Sequence, residues 1–193
     1  MLGDRFEDAL VFTARLHRSQ RRKGRDVPYL AHLLAVASLV IEHGGDEDEA
    51  IAALLHDAVE DQGGLETRDR IAARFGATVA EIVMGCSDST IEPKPPWRAR
   101  KEAYLAHVAA GAPDSVLLVS AADKLHNARA ILTDYRAQGE ALWQRFTGKR
   151  AGTLWYYRAL ADVFAARGPE ALAQELEAVV GEIEALTVNS TTV

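Results

Sequence analysis

This chain of 193 residues lacks several features that proteins of its length commonly carry, and each shortage removes a class of function. It has one cysteine, Cys86, so neither an internal disulfide nor a thiolate metal cluster can form. It has no long apolar run. The longest stretch free of formal charge, Val27–Ile41, is broken by Pro28, Tyr29, His32 and Ser38, which is too short and too polar to span a bilayer. Asp4, Arg5, Glu7 and Asp8 stand where a secretory leader needs an apolar segment, so a soluble, cytoplasmic protein is the expectation. Strand signals are scarce, with few β-branched runs, no sustained alternation and no Asn-Gly or Asp-Gly turn. Bases are in deficit, 22 against 28 acids for a net charge of −6, which argues against nucleic-acid binding.

What is present is helical periodicity. Phe6–Leu16 places Phe6, Ala9, Leu10, Thr13 and Leu16 on one face, and a basic segment follows, Arg15–Arg25, with six Lys or Arg and no acid. A helix from about Pro28 to His43 stops at Gly44-Gly45. A third starts after Asp46, with acids suited to its positive end, and runs on through Val59 to Gly63-Gly64. Leu65–Phe75 and Thr78–Gly85 read as short helices, and Ser87–Trp97 as a loop rich in Pro and Thr. Arg98–Ala110, Asp114–Leu132, Gly148–Ala166 and Pro169–Leu186 complete the pattern, with Asp114–Leu132 the most apolar and expected at the core centre. The Thr-rich end is expected to fray. The expectation is an all-α chain folding as one domain.

The chemistry concentrates at His32, the run His56-Asp57-Ala58-Val59-Glu60-Asp61, and Asp123. On a continuous helix, Asp57, Glu60 and Asp61 lie three or four residues apart and would crowd like charges on one surface. Asp123 follows Val116, Leu117, Leu118 and Val119, where an unpaired carboxylate is expensive. One divalent cation held by His32, His56, Asp57 and Asp123 resolves both difficulties. That mixed N/O set suits Mn²⁺, Fe²⁺, Zn²⁺ or Co²⁺ and leaves positions open for water and substrate. Glu60 and Asp61 then stand ready to orient or deprotonate a water. Against this, Lys124 or Arg129 is close enough in sequence to hold Asp123 as a plain ion pair.

The pattern H…HD…D resembles the HD superfamily of metal-dependent phosphohydrolases. The narrower likeness is to the hydrolase domain of RelA/SpoT-type enzymes. His56–Asp61 resembles the HDxxED motif, Ala122-Asp123-Lys124-Leu125-His126-Asn127 resembles the AD(K/R)LHN motif, and Gln20-Arg21-Arg22-Lys23 with Pro28-Tyr29-Leu30-Ala31-His32 resembles the substrate loop and first ligand. The likeness covers roughly Phe6 to Tyr157. Leu33 stands where that family has proline, and Gln62-Gly63-Gly64 replaces a threonine-rich stretch.

The resemblance implies an HD-domain helical bundle over residues 1–193, with a C-terminal helical extension from about 168 to 193 and no room for synthetase or regulatory domains. It implies hydrolysis of the 3′-pyrophosphate of guanosine tetra- or pentaphosphate. It assigns Mn²⁺ to His32, His56, Asp57 and Asp123, water activation to Glu60 and Asp61, and substrate contact to Arg22, Lys23 and Asn127. Lys124 and His126 read as supporting residues, and Arg98 and Lys101 as weaker phosphate partners. Other readings are an HD phosphohydrolase acting on a nucleoside monophosphate or the 2′-phosphate of NADPH, and a nucleotide-sensing module without turnover. The sequence sets no oligomeric state.

Overall fold

The computed structural model describes residues 2–89 and 93–189. Ten α-helices follow in chain order: α1 (Asp4–Leu16), α2 (Leu30–Glu42), α3 (Glu47–Leu55), α4 (Ala58–Asp61), α5 (Gly64–Phe75), α6 (Ala77–Cys86), α7 (Trp97–Gly111), α8 (Asp114–Gln138), α9 (Lys149–Arg167) and α10 (Glu170–Asn189). A 3-10 helix, Gly139–Arg145, joins α8 to α9. Among the described residues the only β pairing is an isolated bridge between Arg21 and Pro28, and no helix is long and apolar enough to cross a membrane. The middle of the expected Pro/Thr loop, residues 90–92, and the Thr-rich end lie outside the described residues.

The elements form for local reasons. Asp46 caps α3 reciprocally: Glu49 N donates to Asp46 Oδ1 at 2.9 Å, and Asp46 N donates to Glu49 Oε2 at 2.8 Å. After that cap every residue from Ala50 to Leu55 is buried, so α3 is apolar all round and runs through the middle of the molecule. Gly45 lets α2 turn tightly into α3, because a Cβ there would lie 2.5 Å from Val40 Cγ1 and 2.8 Å from the Val40 carbonyl oxygen. That turn sets the relative placement of His32 on α2 and His56 after α3.

Helix α8 is the second axis of the core. Val116, Leu117, Val119, Ala121, Ala122 and Leu125 pack into the main cluster with α2, α3 and α6. Its last turns, Ile131, Leu132 and Tyr135, join Leu142, Trp143 and Ile183 in a smaller apolar cluster against the 3-10 helix and α10. Two expectations are corrected here. Helix α8 runs past Leu132 to Gln138, and the 3-10 helix, unmarked by a clear helical period, follows it. The third helix is not continuous through Val59: it ends at Leu55, and His56 and Asp57 form a turn before α4.

Candidate metal centre and nucleotide cleft

The turn at His56-Asp57 is the local feature that builds the site. On an unbroken helix consecutive side chains diverge by about 100°. Here Asp57 has φ −97° and ψ −2°, the bridge region common in active sites, and the His56 and Asp57 side chains converge. His56 Nε2 lies 3.0 Å from Asp57 Oδ2. The expected crowding of three carboxylates is relieved by the same break, since each finds its own partners. Glu60 accepts from Lys94 Nζ at 3.0 Å and from the Asp88 amide at 3.2 Å. Asp61 accepts from Gln20 Nε2 at 2.7 Å.

Helices α2 and α8 complete the cluster. His32 Nε2 is 3.7 Å from Asp57 Oδ2 and 3.2 Å from Asp123 Oδ1, and His56 Nε2 is 3.5 Å from that same Asp123 oxygen. His32, His56 and Asp57 each present a donor atom within 4.8 Å of the others. Both histidines are buried, and both Nε2 atoms lack a hydrogen bond despite the surrounding carboxylate oxygens.

Tautomer geometry explains why these atoms want a cation. His56 Nδ1 lies 2.8 Å from the Ala53 carbonyl, which only accepts, so Nδ1 carries the hydrogen and a neutral ring turns its Nε2 lone pair toward two carboxylates. His32 Nδ1 meets His126 Nδ1 at 2.8 Å, a pairing that leaves His32 Nε2 free to ligate when His32 is the donor. Lone pairs facing carboxylates are repulsive unless a proton or a metal ion lies among them. The donor set of two imidazole nitrogens and two carboxylates fits a divalent transition ion.

Charge shifts follow the same logic. Without a metal ion a proton takes its place: burial opposes a charged His56, but the Asp57 and Asp123 carboxylates raise it well above the usual imidazole range. Burial also disfavours the carboxylate of Asp57, but the protonated His56 outweighs it and holds that pKa well below the ordinary range. Burial likewise opposes the charged Asp123, and the Lys124 ammonium wins, with Lys124 Nζ donating to Asp123 Oδ2 at 2.6 Å. Lys124 does therefore hold Asp123, whereas Arg129 pairs with Glu175 instead. Asp61 is pushed up, by burial first and by Asp57 next.

The remaining candidates line the adjoining cleft. Asn127 is the joint: its Nδ2 donates to Asp123 Oδ1 at 2.5 Å, and its Oδ1 accepts from Arg22 NH2 at 2.8 Å. The Arg22 guanidinium also lies over the Tyr29 ring, 5.7 Å from its centroid. Two cavities open beside Asn127, one of about 310 Å³ bordered by Lys23, Glu60, Asp88, Lys101 and Lys124, the other of about 200 Å³ bordered by Arg22, Lys23, Tyr29 and Arg145. Phe146 and Tyr157 border both. Arg98 is turned elsewhere, stacked on Trp155 and paired with Glu102. Trp97 packs edge-on against Trp155 and Tyr156 and sits over Gly148 and Gly152.

Several contributors carried no sequence signal of a role. The Tyr29 hydroxyl donates to Asp57 Oδ2 at 2.5 Å; the residue stood inside a recognised segment, next but two to His32. Asp88 is paired with Arg100 and Lys101, and Asp134 with Arg25 and Arg145; only tertiary contact reveals either cluster.

The fold is all-α, the cluster offers histidine and aspartate donors suited to a divalent ion, and comparison places the chain. Residues 9–154 match the family described as HD domain, and the chain belongs to that family. It is 39% identical over 125 residues to guanosine-3′,5′-bis(diphosphate) 3′-pyrophosphohydrolase MESH1 of Danio rerio, a match covering 63% of this chain and 66% of that protein. It is 36% identical over 120 residues to guanosine-3′,5′-bis(diphosphate) 3′-pyrophosphohydrolase of Haemophilus influenzae, covering 60% of this chain and 17% of that one. A solved structure described as a metazoan ortholog of SpoT that hydrolyzes ppGpp superposes with a TM-score of 0.77 at 25% identity, over 95% of this chain and 97% of that one. The structure of lmo0812 from Listeria monocytogenes superposes with a TM-score of 0.68 at 27% identity, over 79% and 97%.

Proposed function

We propose that this protein is a Mn²⁺-dependent phosphohydrolase that removes the 3′-pyrophosphate from guanosine tetra- or pentaphosphate, giving pyrophosphate and GDP or GTP. The observation that carries the proposal is the convergence of two buried, hydrogen-bond-free imidazole Nε2 atoms on the Asp57 and Asp123 carboxylates, at the edge of a cationic cleft. The activities named for the relatives above support the substrate. His32, His56, Asp57 and Asp123 would hold the ion, which supplies Lewis acidity toward water and phosphate oxygens when bound.

The chain's own residues do the rest. Asp61, held by Gln20 and raised by burial, is placed to accept a proton from the attacking water, with Glu60 beside it on α4. That water adds its oxygen to the phosphorus attached to the ribose 3′-oxygen. The 3′-oxygen leaves, takes up a proton, and pyrophosphate is released. Arg22, Lys23 and Asn127 bind and orient the nucleotide, and the guanidinium of Arg22 offers a planar face to a base. Cations on the cleft wall offset the repulsion between a polyanionic substrate and a carboxylate-rich site.

The same reading treats residues 1–193 as one HD-type unit with 168–193 as a helical extension; α10 packs on α8 and α9 beyond the family match. It places the protein in the cytoplasm, with a small nucleotide and no nucleic acid as partner. The test is product analysis with Mn²⁺. Guanosine 3′,5′-bis(diphosphate) should yield guanosine 5′-diphosphate and pyrophosphate. Orthophosphate release from a nucleoside monophosphate or from NADPH, with the tetraphosphate left intact, overturns the proposal.

A further inference from the structure

Asp61, placed to take the water's proton, is exposed, unlike the buried imidazoles of the cluster, so packing alone leaves its rotamer open. A base must stand within about 3 Å of the proton it removes. The contact that holds Asp61 is the hydrogen bond from Gln20 Nε2 to its Oδ2 at 2.7 Å. Whatever directs the Gln20 amide therefore directs the base.

A glutamine amide has one end that donates and one that only accepts. Flipped, Gln20 would set its carbonyl oxygen 2.7 Å from Asp61 Oδ2, acceptor against acceptor. Two donors oppose the flip. His17 Nδ1 lies 2.6 Å from Gln20 Oε1, and Gln62 Nε2 donates to the same oxygen at 2.8 Å. Both lone pairs of Oε1 are then occupied, and Nε2 is left facing Asp61. The backbone fixes the stem: Gln20 N donates to the His17 carbonyl, and the Gln20 carbonyl accepts from Tyr29 N, each at 3.0 Å.

His17 is the member that the site as described does not explain. It is 2% exposed, it caps the C-terminus of α1, and its Nε2 has no hydrogen-bond partner. A buried polar atom left unpaired calls for a reason to keep the ring there. Burial lowers the pKa of His17, so the ring is neutral with one hydrogen, and an oxygen that only accepts draws that hydrogen to Nδ1. The ring stacks on Tyr29, with centroids 5.8 Å apart and planes 23° apart. Tyr29 in turn donates to Asp57 Oδ2 at 2.5 Å, so the ring that seats His17 is tied to the metal-binding candidates. What the arrangement uses is a flat ring with one N–H, seated behind Gln20.

We propose that His17 and Gln62 are positioning residues for Asp61: together they lock the Gln20 amide as a donor to Oδ2, which turns Oδ1 to the attacking water. The proposal rests on the hydrolytic reading above, and in it neither residue touches substrate or metal. Gln62 follows Asp61 directly as the C-cap of α4, so the relay closes on the helix that carries the base.

The first measurement needs no turnover. Nitrogen-15 NMR of the full chain loaded with Zn²⁺, in place of paramagnetic Mn²⁺, should show His17 with its hydrogen on Nδ1 and a slowly exchanging Gln20 side-chain amide. In His17→Phe, which keeps a ring against Tyr29, that amide should exchange faster. The second measurement is kinetic, with guanosine tetraphosphate and Mn²⁺. His17→Phe should lower kcat by about tenfold to a hundredfold, with KM and Mn²⁺ affinity unchanged. His17→Asn, which sets an amide N–H close to the place of Nδ1, should recover most of that loss. Gln62→Met removes the second donor at a half-buried position and should lower kcat in the same direction. In an Asp61→Asn background His17→Phe should cost nothing further, because the relay acts only through Asp61. A hydrogen on His17 Nε2, an unchanged kcat in His17→Phe, or an equal loss in the Phe and Asn variants overturns the relay. So does a change confined to KM or Mn²⁺ affinity, or a loss fully additive with Asp61→Asn. If guanosine 3′-diphosphates are not hydrolysed while the tautomer and amide exchange are as expected, the hydrolytic reading fails and the hydrogen-bonded arrangement stands.

Discussion

Lys124→Met isolates the question of whether Asp123 shares a cation with the two imidazoles. Lys124 Nζ is 2.6 Å from Asp123 Oδ2, and the two side chains are 15% and 7% exposed. Breaking a buried pair by removing one partner costs about 3–5 kcal/mol. Proton uptake caps the loss, because neutralising a carboxyl of ordinary pKa near 3.9 at pH 7 costs about 4 kcal/mol. At roughly 2–4 °C per kcal/mol for a chain of this size, the variant without metal should melt about 6–16 °C below the wild type. Mn²⁺ enters by mass action, adding about 2.7 kcal/mol at a hundredfold excess over its Kd. If Asp123 ligates, the ion replaces the missing ammonium, and the rise in Tm on adding Mn²⁺ should be larger in the variant than in the wild type. The assay is calorimetry at pH 7 with chelator and with Mn²⁺. Equal increments in both proteins would show that Asp123 lies outside the metal's reach and would refute the four-ligand centre.

Three further outcomes follow from the geometry. His56→Ala should retain no Mn²⁺ after gel filtration and show no turnover; metal content equal to wild type removes His56 from the ligand set. Asp61→Asn and Glu60→Gln should keep the metal while kcat falls by about 10²–10⁴ for whichever accepts the water's proton, and an undiminished kcat excludes that residue. His126 is pushed down to about 4, by burial first and then by the neighbouring His32 and Arg22. Since its folded pKa lies below the unfolded value of about 6.5, its stabilising effect is complete above that pH and is lost as pH falls toward about 4. Discounted for partial exposure, this amounts to roughly 1–2 kcal/mol. Melts in chelator at about pH 7 and pH 5 should show the wild type losing more stability than His126→Gln, and equal losses contradict the assignment.

What was readable in the chain was readable for physical reasons. Helical periodicity, Gly44-Gly45 and the acid-rich start after Asp46 all encode local geometry, so α1, α2, α5, α6, α7 and α9 fall where the residues place them to within a few positions. The placement of α8 at the core follows from Val116–Ala122 by composition alone. The break at His56-Asp57 was not readable, because an apolar run continues across it through Ala58 and Val59. The convergence of two adjacent side chains, rather than intrinsic propensity, distinguishes that turn. The 3-10 helix escaped for the converse reason: its Leu142 and Trp143 pack sideways onto Ile131 and Tyr135, a contact with no helical period of its own.

The sequence by itself determined that this protein is helical, that His32, His56, Asp57 and Asp123 are the candidates for a metal centre, and that a cluster of positive charge surrounds Arg22. Residue type and spacing carry that much, since a buried acid in an apolar helix demands a partner wherever the helix goes. Tertiary structure decided which partner each acid took. Lys94 went to Glu60, Gln20 to Asp61, and Arg25 and Arg145 to Asp134. Pairings between side chains distant in sequence depend on where whole helices come to rest, and the burial of α3 and α8 fixed that position.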